Sequence, residues 1–97
     1  MAKFMLLLGW TDQGIRTIKD FSTRSQASEQ LAKKFGVEIK HVYLTTGEHD
    51  LVVFVDAPDG ENVAKFALAL GAKGNVRTRM SRVWAQDELK KFVAELP

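Results

Sequence analysis

Residues 37–55 read VEIKHVYLTTGEHDLVVFV, and this stretch decides how the rest of the chain can be arranged. Residues 37–46 are rich in β-branched and aromatic side chains, and residues 51–55 form a continuous apolar run. The polar turn Gly47-Glu48-His49-Asp50 separates them, which predicts an antiparallel hairpin. Strict alternation then places five side chains of the first strand on one face: Val37, Ile39, His41, Tyr43 and Thr45.

A strand and a helical region precede the hairpin. Residues 4–9 are continuously apolar and end at a glycine, which favours a short strand over a buried helix. Thr11 is a candidate N-cap for a short helix that Gly14 weakens, and residues 23–26 have the capping-box spacing that opens a second helical piece. Gly36 is a natural left-handed end for that piece, whose predicted apolar side is Ala27, Leu31 and Phe35.

A helix, a strand and a final helix are predicted after the hairpin. Residues 56–60 have turn composition and lead into helical spacing at Val63, Phe66 and Leu70. Residues 75–84 predict a fourth strand, and a last helix has an apolar stripe of Leu89, Phe92, Val93 and Leu96. The order is that of the ferredoxin-like βαββαβ fold, an α+β architecture with a four-stranded antiparallel sheet, here with an added C-terminal helix.

Length and composition limit the functions open to this chain. Its 97 residues predict one domain, residues 1–97. Fourteen basic and twelve acidic residues leave a net charge of +2, so no nucleic-acid partner is predicted. The absence of cysteine excludes disulfides and cysteine zinc sites. The run at residues 4–9 is too short to span a membrane and does not continue as a signal peptide, so we expect a cytoplasmic protein without a membrane partner.

The apolar strands also predict self-association. In this fold the crossover helices cover one face of the sheet, and a strand with one wet face alternates apolar and polar residues. Residues 4–8 and 51–55 do not alternate. Burying one exposed Leu or Val is worth about 1.5–3 kcal/mol, so the second face is predicted to pack on a second copy, as in two-fold dimers. The alternative is a monomer whose last helix folds under the sheet.

Four blocks of the sequence agree in order and spacing with a known family: LGWTDQGIR at residues 8–16, YLTTGEHDLV at 43–52, VDAPD at 55–59 and ALALGAKGNVRT at 67–78. They resemble the GYD domain family of small bacterial and archaeal proteins. The resemblance implies a ferredoxin-like fold related to the dimeric α+β barrels, and it implies no established activity. The tyrosine of the family's signature is His49 here, so no role for a phenol at that position is implied.

The hairpin turn carries the most notable polar cluster. An imidazole at His49 beside the Asp50 carboxylate can serve as a general base near neutral pH. The alternative is conformational: Gly47 supplies unusual dihedrals and Asp50 bonds backbone amides. No standard zinc spacing occurs, so no metal and no cofactor are predicted. A second candidate is a pocket between two packed sheets, or else a plain interface, lined by His41, Tyr43 and Thr45.

Two further candidates lie outside the hairpin. Arg77 and Arg79 share a predicted strand face and can together bind a phosphate or carboxylate; the alternative is a solvated or edge-protecting charge. Trp10 precedes a helix start whose free amides can bind an anion; the alternative is an anchor that packs the end of a barrel.

These patterns predict a homo-oligomeric domain that binds a small organic or anionic ligand or has a regulatory role. The ligand would lie between the helix layer and the sheet, or between subunits near His41, Tyr43, His49 and Arg77. The alternative is a dimeric-barrel enzyme that acts on a small organic substrate with His49 or His41 as acid or base. A third possibility is a purely structural oligomerisation partner. The sequence leaves open whether the protein is an enzyme.

Overall fold

Four strands form one antiparallel sheet in the computed structural model, which describes residues 1–97: β1 (Ala2–Trp10), β2 (Glu38–Leu44), β3 (Leu51–Ala57) and β4 (Val76–Val83). One 3-10 turn (Ile18–Asp20) accompanies four helices: α1 (Asp12–Arg16), α2 (Phe21–Lys34), α3 (Gly60–Ala72) and α4 (Gln86–Ala94). The strand order across the sheet is β2-β3-β1-β4, so β1 and β3 are central. This arrangement confirms the predicted ferredoxin-like α+β fold.

The central strands have one buried face and one open face. On β1, Phe4, Leu6 and Leu8 are buried, whereas Met5 and Leu7 between them are only half-buried. On β3 every second residue is likewise buried. The crossover helix α3 completes the core on the buried face with Val63, Phe66 and Leu70. The strand register assigns to the open face Met5, Leu7, His41, Tyr43, Val52, Phe54, Arg77, Arg79 and Ser81.

A β-bulge in β2 overturns the predicted strand faces. Ile39 and His41 pair with consecutive residues of β3, so Lys40 is the extra residue. Because a shift of one residue reverses side-chain direction, Ile39 lies on the buried face while His41 and Tyr43 lie on the open face. The prediction that Ile39 shares a face with these two residues is wrong. Thr45 lies beyond the end of the strand.

The helix before the hairpin also departs from the prediction. α2 begins at Phe21, so residues 23–26 already lie inside the helix and form no capping box there. Ala27 is exposed, so the prediction that it lies on the apolar side of this helix is wrong. Gly36 has φ of 73°, as its predicted left-handed end requires. The half-buried positions in the first half of α2 are partly polar and include Arg24, Ser25 and Ser28.

The last helix stands apart from the core. No residue of α4 is buried, and Leu89 and Val93 of the predicted apolar stripe are more than half exposed. Leu96 of that stripe lies beyond the end of the helix at Ala94 and is exposed as well. Phe92 contacts Trp84 edge-on, with 5.9 Å between the ring centroids. The monomeric alternative requires this stripe to fold under the sheet, and it does not do so in the single chain. Neither α4 nor any other helix is long and apolar enough to cross a bilayer.

The start of α1 approaches the loop before β4 so closely that only glycine fits. Thr11 caps the helix as predicted, because its hydroxyl accepts a hydrogen bond from the Gly14 amide at 3.1 Å. A Cβ atom on Gly14 would lie 2.0 Å from the carbonyl oxygen of Asn75. The glycine that weakens the isolated helix is therefore required for the packing of that helix.

Replacing Gly14 with alanine should lower the free energy of unfolding by about 3 kcal/mol, because the added methyl group forces two backbone segments apart. Gly71→Ala is the matched control: it lies in α3 with nothing within 4 Å of its would-be Cβ atom, and it should raise the stability by up to about 1 kcal/mol. Urea denaturation followed by circular dichroism measures both. Equal effects of the two substitutions would contradict the packing argument.

Candidate functional site at the end of β1

Three of the blocks that carry the family resemblance contribute to one cluster at the C-terminal end of β1. We call this cluster the β1 junction: residues 9–14, the hairpin turn at 45–50, and residues 73–75. The antiparallel pairing produces it, because β1 ends beside the residues at which its two neighbours, β3 and β4, begin. The junction is held together largely by hydrogen bonds to backbone groups.

The start of α1 binds the backbone of the loop before β4. The Thr11 amide donates to the carbonyl oxygen of Asn75 at 3.1 Å, and the Thr11 hydroxyl donates to the carbonyl oxygen of Gly74. Gln13 Nε2 donates to the Lys73 carbonyl oxygen at 3.2 Å and to Asn75 Oδ1 at 2.9 Å. Gly74 has φ of 85°, which turns the chain toward β4. These contacts fix the direction in which β4 begins.

Asp50 links the hairpin turn to β1. Its Oδ2 accepts a hydrogen bond from the Trp10 amide at 2.8 Å. The Thr45 hydroxyl donates to the His49 carbonyl oxygen at 2.8 Å and closes the turn. Asp50 thus bonds a backbone amide, as its conformational interpretation predicts. The companion prediction of unusual dihedrals at Gly47 is wrong, because its φ is not positive.

The two histidines lie in different environments. His41 is exposed on the open face, where its ring stacks on Tyr43 with 6.0 Å between centroids. His49 is half-buried in the hairpin turn and lies outside the strands. Neither imidazole forms an ion pair with a carboxylate of the same chain. No group of three or more His, Asp or Glu side chains lies close enough together to hold a metal ion.

Arg77 does not meet the other predicted residues within one chain. It lies on the edge strand β4 opposite Gly9, whereas Tyr43 lies on the other edge strand, β2. Two central strands separate them, which amounts to about 14 Å at the usual strand spacing. Tyr43 and Arg77 share the open face but form no common pocket in a single chain. Trp10 lies on the opposite side of the sheet, paired with Val76.

A cavity lies on the buried face, between the sheet and the helices α2 and α3. Its volume is about 140 Å³, and twelve of its eighteen lining residues are hydrophobic. Trp10 is the one predicted site residue in its lining. The strands and α3 supply an apolar wall that includes Leu6, Leu8, Leu51, Val53, Phe66 and Leu70. The polar lining comes from α2 and the loop before β4: Arg24, Ser25, Ser28, Glu29, Lys73 and Asn75.

The sequence interpretation did not identify the α2 residues of this cavity. Arg24, Ser25 and Ser28 recur at helical spacing on the side of the helix that continues into buried Ala32. A polar turn on the inward side of an otherwise amphipathic helix is the signal that could have revealed them. That signal is weak in sequence, because serine is also common on solvated helix surfaces.

Two ion pairs lie on the strands of the sheet, and no ion pair involves a residue that lines the cavity. Lys40, at the bulge, donates to Glu38 at 2.8 Å, and this hydrogen bond and the Glu38 charge raise the pKa of the Lys40 ammonium above its ordinary value. Lys3 pairs with Asp56 at 3.4 Å. A lysine on the edge strand β2 opposes pairing with a further strand. Addition of a further strand at the β2 edge of the sheet is therefore disfavoured.

The fold and the β1 junction define a member of a known family of α+β domains. The family model for the GYD domain matches residues 4–93, and the chain belongs to the GYD domain family. A relative is the "Glutamine synthetase and cystathionine beta-lyase binding protein" of Thermus thermophilus. It is 33% identical over 79 residues, which cover 80% of this chain and 83% of the relative. The predicted family resemblance is confirmed.

Asp50→Ala should lower the free energy of unfolding by about 1–3 kcal/mol, since the Trp10 amide loses a charged acceptor. Glu48→Ala removes an exposed carboxylate from the same turn and should change stability by less than about 0.5 kcal/mol. Thermal or urea unfolding of the two variants distinguishes these outcomes. If both variants were as stable as the parent protein, Asp50 would have no structural role in the junction.

Proposed function

We propose that this protein is a self-associating regulatory domain that binds metabolic enzymes. Two apolar surfaces that no helix of the chain covers carry the proposal: the centre of the open face, where Met5, Leu7, Val52 and Phe54 are half-buried, and the exposed stripe of α4. The first is assigned to a second copy of the chain and the second to the partner enzyme. The relative named for binding glutamine synthetase and cystathionine beta-lyase supports a protein as the partner.

The composition of the open face supports a second copy as its cover. Its centre is apolar, with Leu7 and Val52 paired on the two central strands and Met5 paired with Phe54. Four strands of about seven residues present a face of roughly 20 by 23 Å. A face of this size with an apolar centre and polar edge strands fits another sheet, and a two-fold arrangement covers both copies at once. The product is a dimer of the α+β barrel type.

The stripe of α4 supports a different kind of contact. An amphipathic helix that presents its apolar side to solvent docks readily into a hydrophobic groove on another protein. Leu89 and Val93 provide such a side, and Asp87 and Glu88 in the first turn favour the helix through its dipole. The helix is thus formed before the partner arrives, which reduces the entropy lost on binding.

The alternative of an enzyme with His41 or His49 as acid or base has no comparable support. Neither imidazole forms an ion pair with a carboxylate. His41 lies on β2, whereas His49 lies in the hairpin turn. A role for either histidine in catalysis remains a prediction from sequence, to be tested by turnover measurements on a His49→Ala variant.

Tyr43→Glu should weaken dimerisation at least tenfold, because it places a charge on the face that the second copy covers. Tyr43 is 54% exposed, so the substitution should leave the single chain folded. Leu68→Glu is the control: Leu68 is 75% exposed on α3, away from the open face. Light scattering after size exclusion, over a range of concentrations, measures the dissociation. A parent protein that is monomeric at micromolar concentration would contradict self-association.

Val93→Glu should weaken enzyme binding at least tenfold, because it introduces a charge into the apolar stripe. Gln86→Glu adds the same charge at the exposed start of α4 and should have little effect. Biolayer interferometry with glutamine synthetase and cystathionine beta-lyase from the source organism is the measurement. Absence of binding to both enzymes would contradict the proposed partners, whereas equal effects of the two variants would contradict the role of α4.

A further inference from the structure

The inner side of α2 does not match the surface that it faces. The sheet presents buried aliphatic side chains to the helix, including Leu8, Leu51 and Val53. Over the first half of α2 the residues that line the cavity include the polar Arg24, Ser25 and Ser28 beside the apolar Phe21 and Ala27. Of the fourteen residues of α2 only Ala32 is buried. An apolar wall and a partly polar wall thus enclose one space, which is the environment of an amphiphilic molecule.

We propose that this cavity binds a small monocarboxylate with a compact apolar body, such as an aromatic or branched aliphatic acid. The apolar body lies against the sheet and α3, near Phe66 and Leu70. The carboxylate lies at the rim, within the reach of Arg24 and Lys73. This site lies on the face of the sheet opposite to the proposed dimer contact, and it does not depend on the proposed function.

The size of the cavity limits the ligand. Its volume is about 140 Å³. An apolar cavity of about 150 Å³ is large enough to hold benzene. One aromatic ring or a branched chain of similar size therefore fits as the apolar body of the ligand.

The charges at the rim favour a monoanion. Arg24 uses three hydrogen bonds to reach the Gly14 carbonyl oxygen and the Thr17 hydroxyl, so some of its five N–H donors remain free. Lys73 adds a second positive charge and Glu29 a negative one, which leaves a net charge of +1. A carboxylate balances this charge, whereas the second charge of a phosphate would be opposed by Glu29.

The serine hydroxyls supply the remaining polar contacts. Ser25 and Ser28 lie at the cavity lining. Each hydroxyl can donate one hydrogen bond and accept others, and both lie on the same wall as Arg24. A carboxylate has two oxygens with several lone pairs, so it can accept from the guanidinium and from a serine at the same time.

The rim also includes part of the β1 junction. Trp10, Lys73 and Asn75 belong to the junction and line the cavity. Arg24 donates to the Gly14 carbonyl oxygen at 3.2 Å, so the charged residue of the rim is positioned by the junction as well. A bound carboxylate would therefore contact the segments that identify the family.

Titration of the intact protein with sodium benzoate, followed by amide and methyl NMR shifts, tests the proposal. Benzoate should produce saturable shifts at cavity residues such as Leu8, Leu51 and Leu70. Ser28→Leu fills the cavity with an apolar side chain and should weaken benzoate binding at least tenfold while raising the melting temperature. Ser22→Leu makes the same change at an exposed position of α2 outside the cavity and should leave binding unchanged.

Charge is tested separately from shape. Benzyl alcohol is similar in shape to benzoate but neutral, and it should bind about tenfold more weakly. Lys73→Gln should weaken benzoate binding about fivefold, whereas Lys34→Gln, at the exposed end of α2, should not. Shifts that do not saturate, or binding that survives Ser28→Leu, would overturn the site. Equal affinity for benzoate and benzyl alcohol, or equal effects of the two lysine variants, would overturn the carboxylate.

Discussion

The contact between the start of α1 and the backbone of Asn75 is the one on which the rest of the structure depends. It exists because Gly14 has no Cβ atom to keep the two segments apart. Thr11 and Gln13 bind the same loop, so the chain that leaves β1 is tied to the chain that enters β4. Arg24 donates to the Gly14 carbonyl oxygen, which positions the first half of α2. One backbone contact thus sets both the edge of the sheet and the mouth of the cavity.

The blocks that identify the family specify how segments of the chain are joined. Asp50 holds the Trp10 amide, Thr45 closes the hairpin turn, and Gly74 provides a left-handed turn before β4. These are conformational roles, because each contact fixes the course of the backbone at the junction. The same joined segments nevertheless form part of the rim of a cavity. These segments therefore contribute to the shape and the charge of the cavity opening.

The fold could be predicted because the order of apolar strands and amphipathic helices admits few topologies. The candidate site could not, for two physical reasons. The bulge at Lys40 adds one residue to β2 without a glycine or proline to mark it, and it reverses every side chain that follows. The strand order then places Tyr43 on one edge strand and Arg77 on the other, a separation that the residue pattern of each strand alone does not reveal. Ser28 could not be predicted as a cavity residue, because the sequence does not show which side of α2 faces the sheet and serine is also common on helix surfaces.

The strands β1 and β3 supply two of the three surfaces to which a function is assigned, the open face and the apolar wall of the cavity. Leu6 and Leu8 line the cavity while Leu7 between them lies on the open face, and on β3 the residues on either side of Val52 face the cavity. The bulge extends this division to β2, because without it His41 would point into the aliphatic interior. A copy that packs on the open face leaves the rim on the helix side free. The cavity and the proposed contact between copies thus lie on opposite sides of one sheet and use different side chains. A substitution on one side therefore leaves the side chains of the other side in place.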